Sequence, residues 1–249
     1  MTDKRNHADL SDLTAALQRH GMLIRGGFAL NDADERDLAE FPDLAAMARD
    51  RTLVLIGNAG PGLYDAFFAA GPITGDNPLD DWTRRIITPI AERFGASAAF
   101  PSDGPPWLPF QRWAMRAEGV KASPLGVLIH PEFGLWHAYR AALIFDRMLD
   151  LPPVPLRPHP CDSCVARPCL SACPVGAVTM QGYAVDNCAR HVGSGDGKAC
   201  RSIGCLARRA CPVGTGHSYP DRAMAFHMAA FLRGRGIAIL HSDEPGSVH

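Results

Sequence analysis

The first 160 residues of this 249-residue chain contain no cysteine, and the sequence as a whole has no strong excess of one charge. Its 25 basic and 26 acidic side chains leave a formal net charge of -1, which gives no support to bulk attraction to nucleic acid or anionic lipid. No apolar run approaches the roughly 18 residues of a membrane-spanning helix. Met1–Asp12 is too polar for a secretory signal. We therefore expect a cytoplasmic protein that binds neither a membrane nor nucleic acid.

Charge and proline content divide the chain into two parts. Residues 1–156 carry 15 basic and 20 acidic side chains, whereas residues 157–235 carry 10 basic and 4 acidic ones. Between these parts, residues 151–160 include five prolines, so this stretch cannot be a helix or a central strand. We predict an N-terminal domain, 1–156, and a C-terminal domain, 157–249, joined by an extended connector. The basic surplus of the second part fits compensation of a negative cofactor and an ordinary solvated surface equally well.

The hydrophobic pattern predicts a mixture of helices and strands, which favours an α/β or an α+β sandwich for the N-terminal domain. Short apolar runs predict strands at Met22–Ile24, Leu53–Ile56, Leu125–Ile129 and Tyr139–Phe145. Helical spacing covers Leu10–Arg19, Ala33–Ala48, a helix that begins near Pro61, Trp82–Phe94 and the terminal helix Asp221–Leu232. Residues 161–215 have too little apolar periodicity to fold on hydrophobic burial alone. An inorganic component is therefore expected to stabilise them.

All eight cysteines lie in one fifth of the chain and form two groups of four. Each group ends in Cys-Pro-Val-Gly. A disulfide framework is the weaker explanation in a reducing compartment, and soft thiolates suit iron–sulfur clusters. Structural zinc is the alternative, but all-cysteine zinc sites are usually built from two Cys-x2-Cys loops and this sequence has one. The groups are Cys161-x2-Cys164-x4-Cys169-x3-Cys173 and Cys188-x11-Cys200-x4-Cys205-x5-Cys211.

This pattern resembles that of bacterial two-cluster ferredoxins, although several spacings are longer than the usual run of two, two and three residues. In those proteins three closely spaced cysteines hold one 4Fe–4S cluster and the cysteine before proline ligates the other. The resemblance implies a ferredoxin-like C-terminal domain with two clusters. One cluster would take Cys161, Cys164, Cys169 and Cys211, and the other would take Cys173, Cys188, Cys200 and Cys205.

A second resemblance covers about residues 20–150 and is specific around residues 126–145. The stretch Ser123-Pro-Leu-Gly-Val-Leu-Ile-His-Pro-Glu-Phe-Gly-Leu-Trp-His-Ala-Tyr-Arg140 resembles the cobalamin-processing proteins that decyanate and dealkylate cobalamin. Leu53–Gly57 with Leu63–Asp65 is similar to the early strand and helix of that family. The resemblance implies a nitroreductase-like α+β fold with a corrinoid in a cleft. It places Arg140 near the upper face of the corrin, and His130 and Trp136 match the motif with either a cofactor-binding or a structural role.

The cysteine-rich domain also looks like the ferredoxin module of epoxyqueuosine reductase and reductive dehalogenases, which are cobalamin enzymes with two 4Fe–4S clusters. The combination implies a cobalamin reductase or processing enzyme that takes electrons from a donor protein or a small reductant. An electron-transfer protein without catalysis of its own, whose N-terminal domain docks a partner or binds flavin, is the alternative. A tRNA substrate is disfavoured because the chain stops soon after Arg235. Gly57–Gly62 lacks the dinucleotide-binding spacing.

Overall fold

The chain forms two compact units. A computed structural model describes residues 2–31, 51–154 and 156–238, with side chains from Leu10 onward in the first range. Unit 1 comprises Met1–Val120 and His137–Arg157, and unit 2 comprises Lys121–Trp136 and Pro158–His249. The chain therefore leaves unit 1, contributes one short segment to unit 2, and returns to unit 1 before it reaches the cysteines.

Both units contain helices and short strands. The helices are α1 (Thr2–Gln18), α2 (Gly62–Ala69), α3 (Pro78–Arg93), α4 (Phe110–Glu118), α5 (Pro168–Ser171), α6 (Val185–Gly193), α7 (Lys198–Ile203), α8 (Leu206–Arg209) and α9 (Asp221–Arg233). The strands are β1 (Leu23–Ala29), β2 (Thr52–Ala59), β3 (Ala96–Ala99), β4 (Lys121–Ala122), β5 (Leu128–Ile129), β6 (His137–Phe145), β7 (Val178–Thr179) and β8 (Gly182–Tyr183).

Unit 1 is built around a four-stranded antiparallel sheet with the order β1-β2-β6-β3. The apolar run of β2, Leu53–Ile56, is fully buried, as expected for a strand covered on both faces. The register of β2 against β6 shifts after Ile56, and that of β1 against β2 shifts after Ile24. Only glycine fits at position 57, because a Cβ there would overlap the carbonyl oxygen of Ala138 on β6. Such bulges re-aim the side chains beside them.

Most of the elements predicted for unit 1 are confirmed, with shifted ends. Leu53–Ile56 and Tyr139–Phe145 lie within β2 and β6, α2 follows Pro61, and Trp82–Phe94 lies largely within α3. The strand predicted at Met22–Ile24 continues to Ala29, because Gly26 and Gly27 form part of a bulge and not a turn. The helix predicted at Ala33–Ala48 falls outside the described residues.

Unit 2 consists of short helices and two two-stranded hairpins, β4–β5 and β7–β8. The predicted strand Leu125–Ile129 is reduced to β5, because a turn occupies residues 123–127. In this turn the N–H of Gly126 donates to the Ser123 carbonyl, and the N–H of Ser123 donates to the Val127 carbonyl. The terminal helix predicted at Asp221–Leu232 is confirmed as α9. The chain is thus a mixed α and β protein with antiparallel sheets, whereas its nitroreductase-like and ferredoxin-like assignments stay predictions.

Candidate metal centres

Four thiols of unit 2 lie close enough to influence one another electrostatically. The pKa of Cys161 is raised to about 11, mainly by burial and further by the nearby thiols of Cys211, Cys169 and Cys164. Burial also raises the pKa of Cys169, with contributions from Cys211 and Cys164. The pKa of Cys211 is raised by burial and by Cys164. We call these four cysteines the first thiol set.

The other four thiols form a second set in the same unit. Burial raises the pKa of Cys188, and Cys173 adds to the effect. The pKa of Cys200 is raised by burial and then by Cys188 and Cys173. Burial likewise raises the pKa of Cys205, with contributions from Cys188 and Cys200. These neighbours make Cys173, Cys188, Cys200 and Cys205 the second thiol set.

The two sets cross the order of the sequence. Cys173 follows the first three cysteines in the sequence but interacts with the second set. Cys211 is the last cysteine in the sequence but interacts with the first set. The two-cluster ferredoxin pattern implies the same partition, and the assignment of these cysteines as cluster ligands stays a prediction. All eight cysteines are free of disulfides. Among the described residues, no three His, Cys, Asp or Glu side chains converge on a position for a single metal ion.

Backbone N–H groups point at several of the sulfurs. The N–H of Ala177 donates to Cys173 Sγ at 3.3 Å. Against the larger effect of burial, N–H donors from Arg208 and Ala207 lower the pKa of Cys205, and an N–H donor from Val213 lowers that of Cys211. Such donors stabilise a sulfur that carries negative charge, which is the form that ligates metals.

The loop between Cys164 and Cys169 contains an unusual backbone conformation. Arg167 has φ 40° and ψ 53°, in the left-handed region, and it precedes Pro168 at the start of α5. Residues other than glycine adopt this backbone conformation at a cost of roughly 1 to 2 kcal/mol. The residue is exposed, so the conformation serves the path of the loop between two cysteines and not the packing of the arginine.

This conformation predicts a difference between two truncations of the same side chain. Arg167→Gly and Arg167→Ala both remove the guanidinium, but only glycine adopts a positive φ without steric cost. We expect the glycine variant to be more stable than the alanine variant by about 1 kcal/mol. Denaturant midpoints of the two anaerobically purified proteins measure the difference. An alanine variant as stable as the glycine variant would mean that the loop does not require this conformation.

His130 belongs to unit 2, where it organises the loop after β5. Its Nδ1 accepts hydrogen bonds from the N–H groups of Glu132 at 3.1 Å and Phe133 at 3.2 Å. The ring stacks on that of Phe133 with 4.4 Å between centroids. Gly134 in this loop approaches the backbone of Val213 so closely that a Cβ would overlap its carbonyl oxygen. The histidine therefore shapes a loop that packs on the chain just after Cys211.

Trp136 also belongs to unit 2 and is 1% exposed. The Arg208 guanidinium lies over its ring at 4.6 Å and over the ring of Tyr219 at 4.8 Å, and Arg208 donates to the carbonyl of Leu135. The indole N–H has no hydrogen-bond partner among the described residues. These contacts connect the segment Lys121–Trp136 to α8, which lies between Cys205 and Cys211.

Apolar side chains of the same segment form a wall of the first thiol set. Leu125, Ile129 and Leu135 share a buried core with Cys211 and Ala207. Cysteines of both sets pack against that core: Cys161, Cys169, Cys173 and Cys205. The sequence motif that resembles cobalamin-processing proteins therefore contributes its first half to the surroundings of the thiols.

Arg140 lies on β6 in unit 1. Its Nε donates to Asn58 Oδ1 and its Nη2 to the Tyr64 hydroxyl, both at 3.1 Å. Asn58 and Tyr64 are fully buried, whereas Arg140 is half-buried. Two neutral partners orient the guanidinium, and among the described residues no carboxylate neutralises it.

A buried ionic network beside Arg140 was not predicted from the sequence. Arg25, on β1 between the two residues where the register shifts, has a fully buried side chain. It donates from Nε and Nη2 to the Glu118 carboxylate at 2.9 and 2.8 Å, and Tyr139 donates its hydroxyl to the same carboxylate. Burial raises the pKa of Tyr139, so the phenol keeps its proton. The three residues are far apart in sequence and form no local motif that could have revealed them.

Comparisons with known proteins show the fold and not the family. No family profile and no curated protein matches this sequence. Selenomethionine-labelled epoxyqueuosine reductase matches with a TM-score of 0.54 and 15% identity, over 88% of this chain and 69% of that chain. The fold is similar to that of epoxyqueuosine reductase. The C. elegans B12-trafficking protein CblC, a homologue of human MMACHC, matches with a TM-score of 0.41 and 13% identity, over 91% of this chain and 96% of that one.

A second epoxyqueuosine reductase structure bears on the predicted partners. It contains a tRNA-Tyr stem loop modified with epoxyqueuosine, and it matches with a TM-score of 0.50 and 16% identity over 87% of this chain and 68% of that one. The tRNA in that protein does not agree with the prediction that this chain binds no nucleic acid. Likeness at this identity shows the fold alone, so the absence of nucleic acid stays a prediction. Over the described residues, no helix combines the length and hydropathy needed to cross a membrane.

Proposed function

We propose that this protein binds two 4Fe–4S clusters in unit 2 and passes single electrons from a donor protein or small reductant to a corrinoid bound by unit 1, for cobalamin reduction or removal of the upper ligand. The observation that carries the proposal is the sorting of eight free thiols into two sets of four. Clusters of this type supply one-electron chemistry with a potential set by their surroundings.

The donor chemistry of each set fits a 4Fe–4S cluster. A cubane cluster takes one thiolate on each of four irons, so its ligands surround a volume and do not meet at one ion. Neighbouring thiols of the first set raise the pKa of Cys161, and neighbouring thiols of the second set raise that of Cys200. Backbone N–H groups directed at Cys205 and Cys211 suit sulfurs that carry charge when ligated. This arrangement supports the proposal of two ligand sets. The first is Cys161, Cys164, Cys169 and Cys211, and the second is Cys173, Cys188, Cys200 and Cys205.

The surroundings of Arg140 support a corrinoid in unit 1. A half-buried guanidinium that is oriented by Asn58 and Tyr64 retains its positive charge for a ligand. The edge of a corrin carries amide side chains, and its nucleotide carries a phosphate, so both offer acceptors to such a group. His130 and Trp136 support the proposal differently, since both pack within unit 2. We assign them the task of holding Lys121–Trp136 against the first thiol set.

An anaerobic absorbance titration with hydroxocobalamin tests the function. Iron and acid-labile sulfide are first measured, and cluster-loaded protein is then titrated and given a limiting amount of dithionite. A saturable shift of the corrin bands, followed by reduction of the cobalt with oxidation of the clusters, is expected. Clusters without a corrin shift would leave the alternative of an electron carrier whose N-terminal domain binds a partner or a flavin. Protein without labile sulfide would overturn the cluster assignment.

Arg140→Ala provides a residue-specific prediction. We expect about a tenfold weaker corrinoid affinity, since a charged hydrogen bond contributes roughly 1.5 to 3 kcal/mol. The iron content should not change, because Arg140 belongs to unit 1 and the thiols to unit 2. Arg85→Ala, which removes an exposed arginine of α3, is the matched control. Equal corrinoid affinity in the two variants would indicate that Arg140 has a structural role and does not contact the corrinoid.

A further inference from the structure

Two β-bulges lie on either side of β2, and each contains an arginine. On β6, Arg140 is the extra residue, because its two neighbours in the sequence pair with Ile56 and Gly57, which are consecutive on β2. On β1, Arg25 follows Ile24 within the stretch where the register shifts. Bulges turn the side chains beside them and are frequent near active sites. Two arginine side chains are therefore re-aimed at the same level of the sheet, one on each side of β2.

Both arginines donate to Asn58, the residue of β2 that follows the bulge. Arg25 Nη1 donates to its main-chain carbonyl oxygen at 3.2 Å, and Arg140 Nε donates to its side-chain Oδ1 at 3.1 Å. A guanidinium has no acceptor, so the amide of Asn58 has to present its oxygen to Arg140. Asn58 is fully buried. Its main chain is thus fixed by one arginine, and its side chain fixes the other.

The two guanidinium groups differ in the charge of their partners. Arg25 forms two hydrogen bonds with the Glu118 carboxylate, at 2.9 and 2.8 Å. Arg140 bonds to the Asn58 amide and the Tyr64 hydroxyl, which are neutral, and no carboxylate of the described residues pairs with it. Its Nη1 donors have no partner in that part of the chain. A guanidinium binds a negatively charged acceptor more strongly than a neutral one, so this arrangement favours an anion.

We propose that Asn58 is a positioning residue that holds Arg140 as the binding group for a negatively charged part of the corrinoid. Asn58 fixes the direction of the guanidinium without neutralising it, and Arg25 fixes Asn58. The negatively charged part is either the phosphodiester of the nucleotide or an anionic upper ligand, because the amides at the edge of the corrin are neutral. This inference rests on the proposed function, since it requires a corrinoid in unit 1.

Asn58→Asp tests the inference, because aspartate keeps an oxygen beside Arg140 and adds the negative charge that the site lacks. The affinity for hydroxocobalamin should fall about tenfold, since the new carboxylate takes the guanidinium that the corrinoid would otherwise bind. Hydrogen exchange of peptides from β2 and β6 should be no faster than in the wild type, because the aspartate pairs with Arg140. A structural role alone would leave the affinity unchanged in such a stable variant, and that result would overturn the inference.

Asn77→Asp is the matched control. Asn77 is an exposed asparagine of unit 1 that directly precedes α3, so its replacement makes the same change in charge at the surface. The affinity of this variant for hydroxocobalamin should equal that of the wild type. An equal loss of affinity in Asn77→Asp and Asn58→Asp would overturn the inference, since it would indicate an effect of net charge.

A second variant, Asn58→Leu, covers the case in which Asn58→Asp fails to fold. Leucine has a similar size and no acceptor, so Arg140 loses the partner of its Nε and the corrinoid affinity should again fall. The same substitution in the Arg140→Ala background should cause no further loss, because Asn58 acts on the ligand only through Arg140. Losses that add in the combined variant would contradict the positioning role, since general damage to unit 1 would weaken binding in either background.

Cobinamide, a corrinoid without the nucleotide and its phosphodiester, identifies the negatively charged part. A loss in Asn58→Asp that is confined to hydroxocobalamin would assign the phosphodiester to Arg140. An equal loss with both corrinoids would assign the upper ligand. Wild-type protein that binds neither corrinoid would contradict the proposed function itself, whereas equal binding by the wild type and Asn58→Asp would overturn only this inference.

Discussion

Cys169→Ala and Cys211→Ala combined are expected to remove no more iron than either substitution alone. Both thiols lie in the first set, so each single variant should lose one of two clusters, which is about four of roughly eight irons. Cys169→Ala combined with Cys173→Ala should remove nearly all iron, because Cys173 interacts with the second set. Iron and acid-labile sulfide per chain, measured after anaerobic reconstitution, give the result directly.

These two double variants distinguish crossed from sequential ligation. If the cysteines ligated in the order of the sequence, Cys169 and Cys173 would share a cluster and their double variant would keep half of the iron. Cys169 and Cys211 would then hold different clusters, and their double variant would lose both. Ser171→Ala, an exposed serine between Cys169 and Cys173, is the control for changes to the loop itself. Reversed iron contents in the two double variants would therefore contradict the crossed arrangement.

The thiol sets could be predicted because their chemistry is local in sequence. Three cysteines within nine residues must lie near one another whatever the rest of the fold does, so Cys161, Cys164 and Cys169 were expected together. The crossing of Cys173 and Cys211 is not local, and the expectation came from the resemblance to two-cluster ferredoxins. Strand β2 could be predicted for a similar reason, because a short apolar run such as Leu53–Ile56 is typical of a buried strand.

The membership of Lys121–Trp136 in unit 2 could not be predicted from the sequence. Its apolar residues, such as Leu125 and Ile129, predict that the segment is buried but do not indicate which residues it contacts. Their neighbours Ala207 and Cys211 lie some 80 residues later. The proline-rich connector at 151–160 suggested one boundary, whereas the contacts of the chain give two further crossings, near residues 120 and 137.

Arg25 shows a second limit of sequence reasoning. It directly precedes Gly26-Gly27, and nothing in its sequence neighbourhood indicates a buried ion pair. Its partner Glu118 is 93 residues away at the end of α4. Pairing at that separation depends on how α4 packs on β1, which is a property of the whole unit.

Glu118→Ala is expected to destabilise unit 1 by about 3 to 5 kcal/mol. The substitution leaves the guanidinium of Arg25, whose side chain is fully buried, without its carboxylate, and it removes the acceptor of the Tyr139 hydroxyl. Removing one partner of a buried ion pair is costly because the protein interior solvates the remaining charge poorly. Hydrogen exchange of peptides from β1 and β6 reports on unit 1 separately from unit 2.

Replacing both partners separates the cost of losing the carboxylate alone from the net value of the pair. Arg25→Met combined with Glu118→Met removes both charges and keeps much of the side-chain volume, so it should cost far less than Glu118→Ala. Glu118→Gln keeps one acceptor oxygen but places an N–H donor where the second carboxylate oxygen stood, so its cost should fall between them. A Glu118→Ala cost below about 1 kcal/mol, the value typical of exposed pairs, would mean that water reaches Arg25. The combined variant should in addition retain its iron, since the pair belongs to unit 1 and the thiols to unit 2.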